Sequence, residues 1–184
     1  MSQALLIIDY SNDFIDEKGA LSCGEPGRQL DGVICRLMEE TAAAGGFVVV
    51  CNDRHEETDL YHPERALFPA HNLAGTWGEE IYGETGKRFR HLQASQAGQT
   101  LYLPKIWYSA FHDTPLDAML RQRGVNEITV CGVCTDICVL HTVTDAYYRG
   151  YTVKVKADAC AALSPEGQRW GLAHMRDSLG AELI

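Results

Sequence analysis

Short apolar runs rich in β-branched residues recur along the chain at 4–8, 47–51, 101–103, 128–132, 151–155 and 181–184, and they read as strands. Between most of them the apolar positions take helical spacing. Such segments cover 28–44, closed by Gly45-Gly46, then 115–123, closed by Gly124, and 136–149, closed by Gly150. A last helix begins at Ser164-Pro165-Glu166, where an N-cap serine precedes a proline at the first helical position, a site whose N–H has no helical partner anyway. Strand and helix alternating in this way call for right-handed crossovers. The pattern predicts a three-layer α/β/α sandwich around a mostly parallel six-stranded sheet. With 184 residues the chain has enough material for one buried core and too little for two ordinary domains, so 1–184 is expected to form a single domain.

The stretch from about 53 to 98 breaks this rhythm. It holds four of the seven histidines, several Gly and Pro residues and little periodicity, and a long excursion inside a compact domain is usually functional. Composition narrows the field further. A formal net charge of -9 with no Lys/Arg cluster argues against nucleic acid as a partner. The N-terminus has no basic flank or cleavage site and no stretch is long and apolar enough for a bilayer, so neither secretion nor a membrane partner is expected. Seven cysteines, an odd number in no evident framework, fit a reduced cytoplasmic protein. Assembly into a homo-oligomer stays open.

Ligands of open α/β sheets bind beyond the carboxyl ends of the strands. The first strand ends at Asp9, the second runs into Asn52-Asp53-Arg54-His55, the third into Pro104-Lys105, and the fourth into a loop carrying Cys134 and Cys138. Thr135 or Asp136 is a natural N-cap there, which puts Cys138 in a first helical turn, where free N–H groups favour the nucleophilic thiolate. Lys105 would lower the thiol pKa and Asp9 would accept its proton. Each residue also has a plain reading: Cys138 as a small buried hydrophobe, Asp9 as a turn former, Lys105 as a solvated surface lysine. Backbone N–H groups near Cys134 and Cys138 would bind an oxyanion.

A second group resembles a metal site. Asp53, His55, Glu64 and His71 offer carboxylate and imidazole ligands suited to Zn²⁺, with Mn²⁺ or Fe²⁺ as other occupants. Glu56, Glu57, Asp59 and His62 are close enough in sequence to replace one of them. Two other chemistries stand beside a cysteine hydrolase. Cys131, Cys134 and Cys138 would be thiolate ligands of a cluster or of zinc, although Cys131 falls inside an apolar strand. Alternatively, a bound ion would activate water directly, with Cys138 passive.

Asp9-Tyr10-Ser11-Asn12-Asp13-Phe14, Lys105 and Gly132-Val133-Cys134-Thr135-Asp136-Ile137-Cys138-Val139, in that order, resemble the isochorismatase-like cysteine hydrolases over essentially the whole chain. Asp53-Arg54-His55, His62-Pro63-Glu64 and the segment from Leu67 to Thr76 are similar to the metal-binding nicotinamidase (pyrazinamidase) branch of that superfamily. The resemblance implies hydrolysis of a small amide, nicotinamide, to nicotinate and ammonia through a Cys138 thioester, a step of NAD salvage; another small amide is the alternative substrate. It implies Asp9, Lys105 and Cys138 as the catalytic triad, and Asp53, His55, Glu64 and His71 as ligands of one divalent ion, Zn²⁺ first. It also implies Phe14, Phe68 and Tyr108 around the substrate ring, and a cis peptide between Val133 and Cys134 that aims the Cys134 N–H at the oxyanion. Many relatives have Gln at the position of Ser11 and a small or aliphatic residue at that of Cys134, so a second thiol is expected beside the nucleophile. Trp77 is placed to narrow or close the pocket.

Overall fold

In the computed structural model, which describes residues 2–184, all six apolar runs become strands. They are β1 (Ser2–Ile8), β2 (Phe47–Asp53), β3 (Thr100–Lys105), β4 (Val125–Val133), β5 (Thr152–Ala161) and β6 (Glu182–Leu183). They form one sheet in the order β3-β2-β1-β4-β5-β6, and every neighbouring pair is parallel. Leu5 to Ile8 and Val48 to Cys51 are fully buried. Central strands covered on both faces have no solvent side, which is why these runs are continuously apolar rather than alternating.

The helices are α1 (Asn12–Ile15), α2 (Gly24–Arg28), α3 (Asp31–Ala43), α4 (Gly83–Ser95), α5 (Leu116–Gln122), α6 (Leu140–Tyr148) and α7 (Pro165–Leu179). Right-handed crossovers between parallel strands put α3 and α4 on one face of the sheet and α5, α6 and α7 on the other. α3 buries Ile34, Met38 and Ala42, one residue per turn, and α7 starts as its sequence predicts, the Ser164 hydroxyl accepting from Gly167 N at 3.0 Å. Among the described residues no helix is long and apolar enough to cross a membrane.

Three expectations are corrected. The segment 28–44 is interrupted between Arg28 and Asp31 and forms the end of α2 and all of α3. The excursion at 53–98 contains a regular helix, α4, whose docking is largely polar: the Asp31 carboxylate accepts from Glu84 N and Thr85 N at 2.9 Å each. That carboxylate caps the helix from a residue more than fifty positions away, so no local signal marks the start. The segment 136–149 begins as a turn of π-helix, Thr135–Val139, and becomes α6 only at Leu140.

From β1 the chain steps outward through β2 to β3, then returns to the other side of β1 for β4. Crossovers on opposite faces therefore diverge between β1 and β4, opening a crevice at their carboxyl ends. Gly132 lines up with Ile8 across this junction at φ 113°, and a Cβ there would lie 2.0 Å from the Ile8 carbonyl oxygen. No side chain fits between two paired backbones. Gly132→Ala is expected to cost on the order of 3 kcal/mol of stability through strain and backbone displacement, checked by urea unfolding of the variant beside the parent.

Candidate active site

Asp9 is the first residue past β1 and turns in the left-handed region, φ 51°, its N–H donating to the Cys51 carbonyl at 2.9 Å. The turn points its carboxylate into the crevice, where Oδ1 accepts from Asp53 N at 2.7 Å and Oδ2 from Lys105 Nζ at 2.8 Å. Lys105 also donates to Asp53 Oδ1 and to the Trp107 carbonyl at 3.1 Å, which uses all three ammonium donors. Its side chain is fully buried, so the solvated-lysine reading is excluded. Burial and the neighbouring Asp53 push the Asp9 carboxyl up to about 7 against the pull of Lys105. Burial acts on Asp53 too, but there Lys105 and His55 outweigh it and hold the carboxyl below its ordinary value. Lys105 would be lowered by its burial, yet the two carboxylates keep it firmly protonated.

Cys138 lies in the π-turn beyond β4, 3% exposed, its sulfur within 4.8 Å of carboxylate oxygens of Asp9 and Asp53. Burial works against a thiolate here. Burial raises the thiol well above its ordinary value, Lys105 only partly opposes this, and Asp9 and Asp53 add to it. The thiol lies beside a carboxylate placed to take its proton. The peptide between Val133 and Cys134 is cis, as the resemblance implies. The Cys134 carbonyl accepts from Ile137 N at 3.0 Å and Val139 N at 3.2 Å and passes over Cys138 N.

Neither Thr135 nor Asp136 caps this turn, contrary to expectation. Thr135 Oγ1 donates to Gln168 Oε1 at 2.7 Å, and the Gln168 amide donates to the Cys160 carbonyl at 3.0 Å, tying the turn to α7 and β5. Gly171 of α7 faces the Asp136 backbone so closely that a Cβ would lie 3.1 Å from its Cα. The turn that carries Cys138 is thus braced from behind by a helix about thirty residues on, a contact with no signal in the local sequence.

The other half of the crevice gathers Asp53 from the end of β2, His55 two residues further, Glu64 from a short 3₁₀ turn (Pro63–Ala66) and His71. His55 is held by its N–H to the Asn72 carbonyl at 3.0 Å and by its own carbonyl accepting from Ala74 N at 2.9 Å. Asn72 is anchored in turn: its N–H donates to Asp13 Oδ2 at 2.7 Å and its side-chain Oδ1 accepts from Ser11 Oγ at 2.8 Å. His71 Nε2 stands 3.5 Å from Glu64 Oε2 and 4.0 Å from Asp53 Oδ2, and His55 Nε2 stands 3.9 Å from each of those oxygens.

These residues fit a metal ion. Asp53 Oδ2, His55 Nε2 and His71 Nε2 are buried polar atoms with no hydrogen-bond partner in the protein, and they converge on one point. Four ligands at about 2.1 Å around a tetrahedral ion lie roughly 3.4 Å from one another, so a small contraction completes the site. His71 Nδ1 lies 2.8 Å from the Pro69 carbonyl, which can only accept, so the proton sits on Nδ1 and the Nε2 lone pair points inward. The other candidates stand outside this convergent group: Glu56, Glu57 and Asp59 are exposed, and His62 Nε2 bonds the Ile106 carbonyl.

One narrow pocket, with a cavity of about 10 Å³, joins the halves, with Cys138 and Cys134 on one side and Asp53, Glu64 and His71 on the other. Phe14, Phe68 and Tyr108 line it as expected, together with Leu21 and Ile137, unmarked apolar residues in sequence. Phe14 meets the His71 ring edge-on at 5.2 Å. Trp77 does not close the pocket: its ring is 47% exposed and outside the lining. Cys131 is buried within β4, and among the described residues the three sulfurs of Cys131, Cys134 and Cys138 form no common ligand group.

A doubly wound parallel sheet with a buried thiol, carboxylate and ammonium at its switch point has the build of a hydrolase that works through a nucleophile. The Isochorismatase domain matches residues 3–184, and the chain belongs to the isochorismatase family. The isochorismatase family protein PncA of Bacillus subtilis (strain 168) is 43% identical over 183 residues, covering 100% of this chain and 99% of the relative. The crystal structure of nicotinamidase/pyrazinamidase PncA from Bacillus subtilis superposes with a TM-score of 0.96, covering 100% of both chains. The pyrazinamidase/nicotinamidase of Streptococcus mutans UA159 reaches 0.95 at 38% identity, again over 100% of both. Pyrazinamidase of Pyrococcus horikoshii, solved in complex with zinc, reaches 0.85 at 26% identity over 100% of this chain and 99% of that one.

Stripped of metal and titrated calorimetrically with Zn²⁺, the protein is expected to bind one ion per chain. His71→Ala should weaken that binding by more than about tenfold, while Glu57→Ala, outside the cluster, should leave it unchanged.

Proposed function

We propose that this chain is a nicotinamidase, hydrolysing nicotinamide to nicotinate and ammonia in the cytoplasm as a step of NAD salvage. The observation that carries the reading is the shared pocket: a buried thiol with its carboxylate on one wall, and a convergent two-carboxylate, two-imidazole cluster on the other. Relatives described as nicotinamidases or pyrazinamidases over the full chain support the substrate, and the zinc complex among them supports Zn²⁺, with Mn²⁺ and Fe²⁺ accepted by the same ligands.

In this reading Asp53, His55, Glu64 and His71 hold one divalent ion. When bound, it supplies a Lewis-acidic point for the pyridine nitrogen. Phe14, Phe68 and Tyr108 confine the ring so that its carboxamide faces Cys138. Asp9 takes the thiol proton as sulfur attacks the amide carbon, and the N–H groups of Cys134 and Cys138 receive the oxyanion. Asp9 then hands the proton to the departing nitrogen, and ammonia leaves. For the second half, Asp9 takes a proton from the water that attacks the thioester and returns it to Cys138 as nicotinate is released. Lys105 keeps Asp9 aimed and stays charged throughout. A base near pKa 7 suits this shuttle, because it must gain and lose the same proton twice.

Ammonia release from nicotinamide by the purified protein, beside Cys138→Ala and Asp53→Ala with metal content determined, tests the reading. The parent should turn over. Cys138→Ala should be inactive with its metal retained, whereas Asp53→Ala should lose metal and activity together. Turnover by Cys138→Ala would move the chemistry to metal-activated water and sink the thioester. A further expectation concerns the brace behind the nucleophile: Gly171→Val should press on the Asp136 backbone and lower kcat at least about tenfold with a smaller change in KM, measured by steady-state kinetics alongside circular dichroism.

A further inference from the structure

The thiol expected beside the nucleophile has another partner. Cys134 Sγ contacts Cys23 Sγ at 3.6 Å, across 111 positions of sequence, and both side chains are buried. Cys23 stands at the start of α2, where its N–H donates to the Phe14 carbonyl at 2.7 Å. It has a second exposure that Cys134 lacks. Cys23 borders a solvent-open cavity of about 650 Å³ lined by residues of α2 and the end of β5, none of which except Cys23 is a cysteine of the pair. Cys134 borders the substrate pocket itself. The two sulfurs therefore bridge two compartments, and the hydrolysis derived above uses neither of them.

We propose that Cys23 and Cys134 are an oxidation site, a thiol pair that a hydroperoxide converts to a disulfide and a thiol reductant restores, switching the hydrolase off and on. The oxidant enters through the cavity. Cys23 sulfur attacks the peroxide O–O bond, which breaks to give a sulfenic acid on Cys23 and one alcohol, or water when the peroxide is H₂O₂. Cys134 sulfur then attacks the sulfenyl sulfur, the S–O bond breaks, and the hydroxide leaves as water with the Cys134 thiol proton. In sum, two thiols and one hydroperoxide yield one disulfide, one water and one alcohol. Cys134 suits the resolving role: its contact with Cys23 and its burial hold the thiol well above its ordinary value, so it is the poorer first nucleophile.

Bond formation reaches the reacting centre through one residue. An S–S bond is about 2.05 Å long, so the sulfurs at 3.6 Å must approach each other and draw Cys134 toward α2. The Cys134 carbonyl holds Ile137 N and Val139 N, the turn that carries Cys138, and its N–H is a proposed oxyanion donor. A displacement near 1 Å at such a point can cost about a hundredfold in rate.

The hydrolase consequence rests on the nicotinamidase reading; the linkage itself does not. The test has two arms, both with H₂O₂ as the probe. Non-reducing peptide mapping of the treated parent should find a Cys23–Cys134 linkage, two hydrogens lighter, that dithiothreitol removes. Mapping decides the pair even if nicotinamide is not the substrate. In the activity arm, the treated parent should lose at least about tenfold of its turnover and regain it with dithiothreitol. Cys23→Ser, and Cys23→Ala as a second variant, should keep basal turnover and lose only the recoverable part of the response. No linkage, linkage of either sulfur to Cys138 or Cys160 instead, or full turnover with the Cys23–Cys134 bond formed would overturn the proposal.

Discussion

The Lys105 ammonium, fully buried between Asp9 and Asp53, is the interaction on which the two halves of the site depend. Removing charges from water costs several kcal/mol per ion, and loss of one partner from a buried pair typically costs about 3–5 kcal/mol. Two carboxylates so close would repel each other without a cation between them. Lys105 lets both stay in the crevice and divides their work by geometry. Asp9 accepts one ammonium proton and the Asp53 N–H and faces the thiol, while Asp53 gives Oδ1 to the ammonium and leaves Oδ2 for the histidine cluster. A change at either carboxylate is thereby felt by the other.

That arrangement is possible because of where the strands end. β2 and β3 are in register so that Asp53 pairs with Lys105, and β1 ends beside β2 so that the Asp9 carboxylate meets the Asp53 N–H. Parallel pairing and the left-handed turn at Asp9 bring the three charged side chains together. The thiol arrives from β4, on the other side of β1, and needs Gly132 to let β4 close on Ile8. The sheet order thus decides which chemistries meet.

This explains what the sequence disclosed and what it hid. Polar residues at strand ends were legible, because a β-branched run followed by Asp9, Asp53 or Lys105 announces both the strand and its rim, and the family resemblance agreed with them. The spacing of Asp53, His55, Glu64 and His71 was legible as a set, though only the fold separates His71 from His62, whose ring turns to the Ile106 carbonyl. What stayed hidden is long-range and polar. α4 takes its cap from Asp31, the Cys138 turn takes its brace from Gln168 and Gly171, and the loop carrying His71 takes its anchor from Asp13 and Ser11. None of these contacts leaves a periodic trace. Leu21 and Ile137 were equally silent, since an apolar residue that lines a pocket looks like one that fills a core.

The balance of forces on the Cys138 thiol bears on how such a site works. Helix ends and a nearby lysine lower a thiol pKa when the sulfur is partly solvated. Here the sulfur is buried beside two carboxylates, and burial wins over Lys105. A resting thiolate would add a further negative charge to a crevice that already holds two carboxylates against one ammonium. A protonated sulfur avoids that charge, in keeping with the proposed step in which Asp9 takes the proton as sulfur attacks. The same burial that raises the thiol also raises Asp9, so donor and acceptor shift together and the transfer between them stays feasible. In the proposed hydrolysis, reactivity then depends on the substrate completing the pocket.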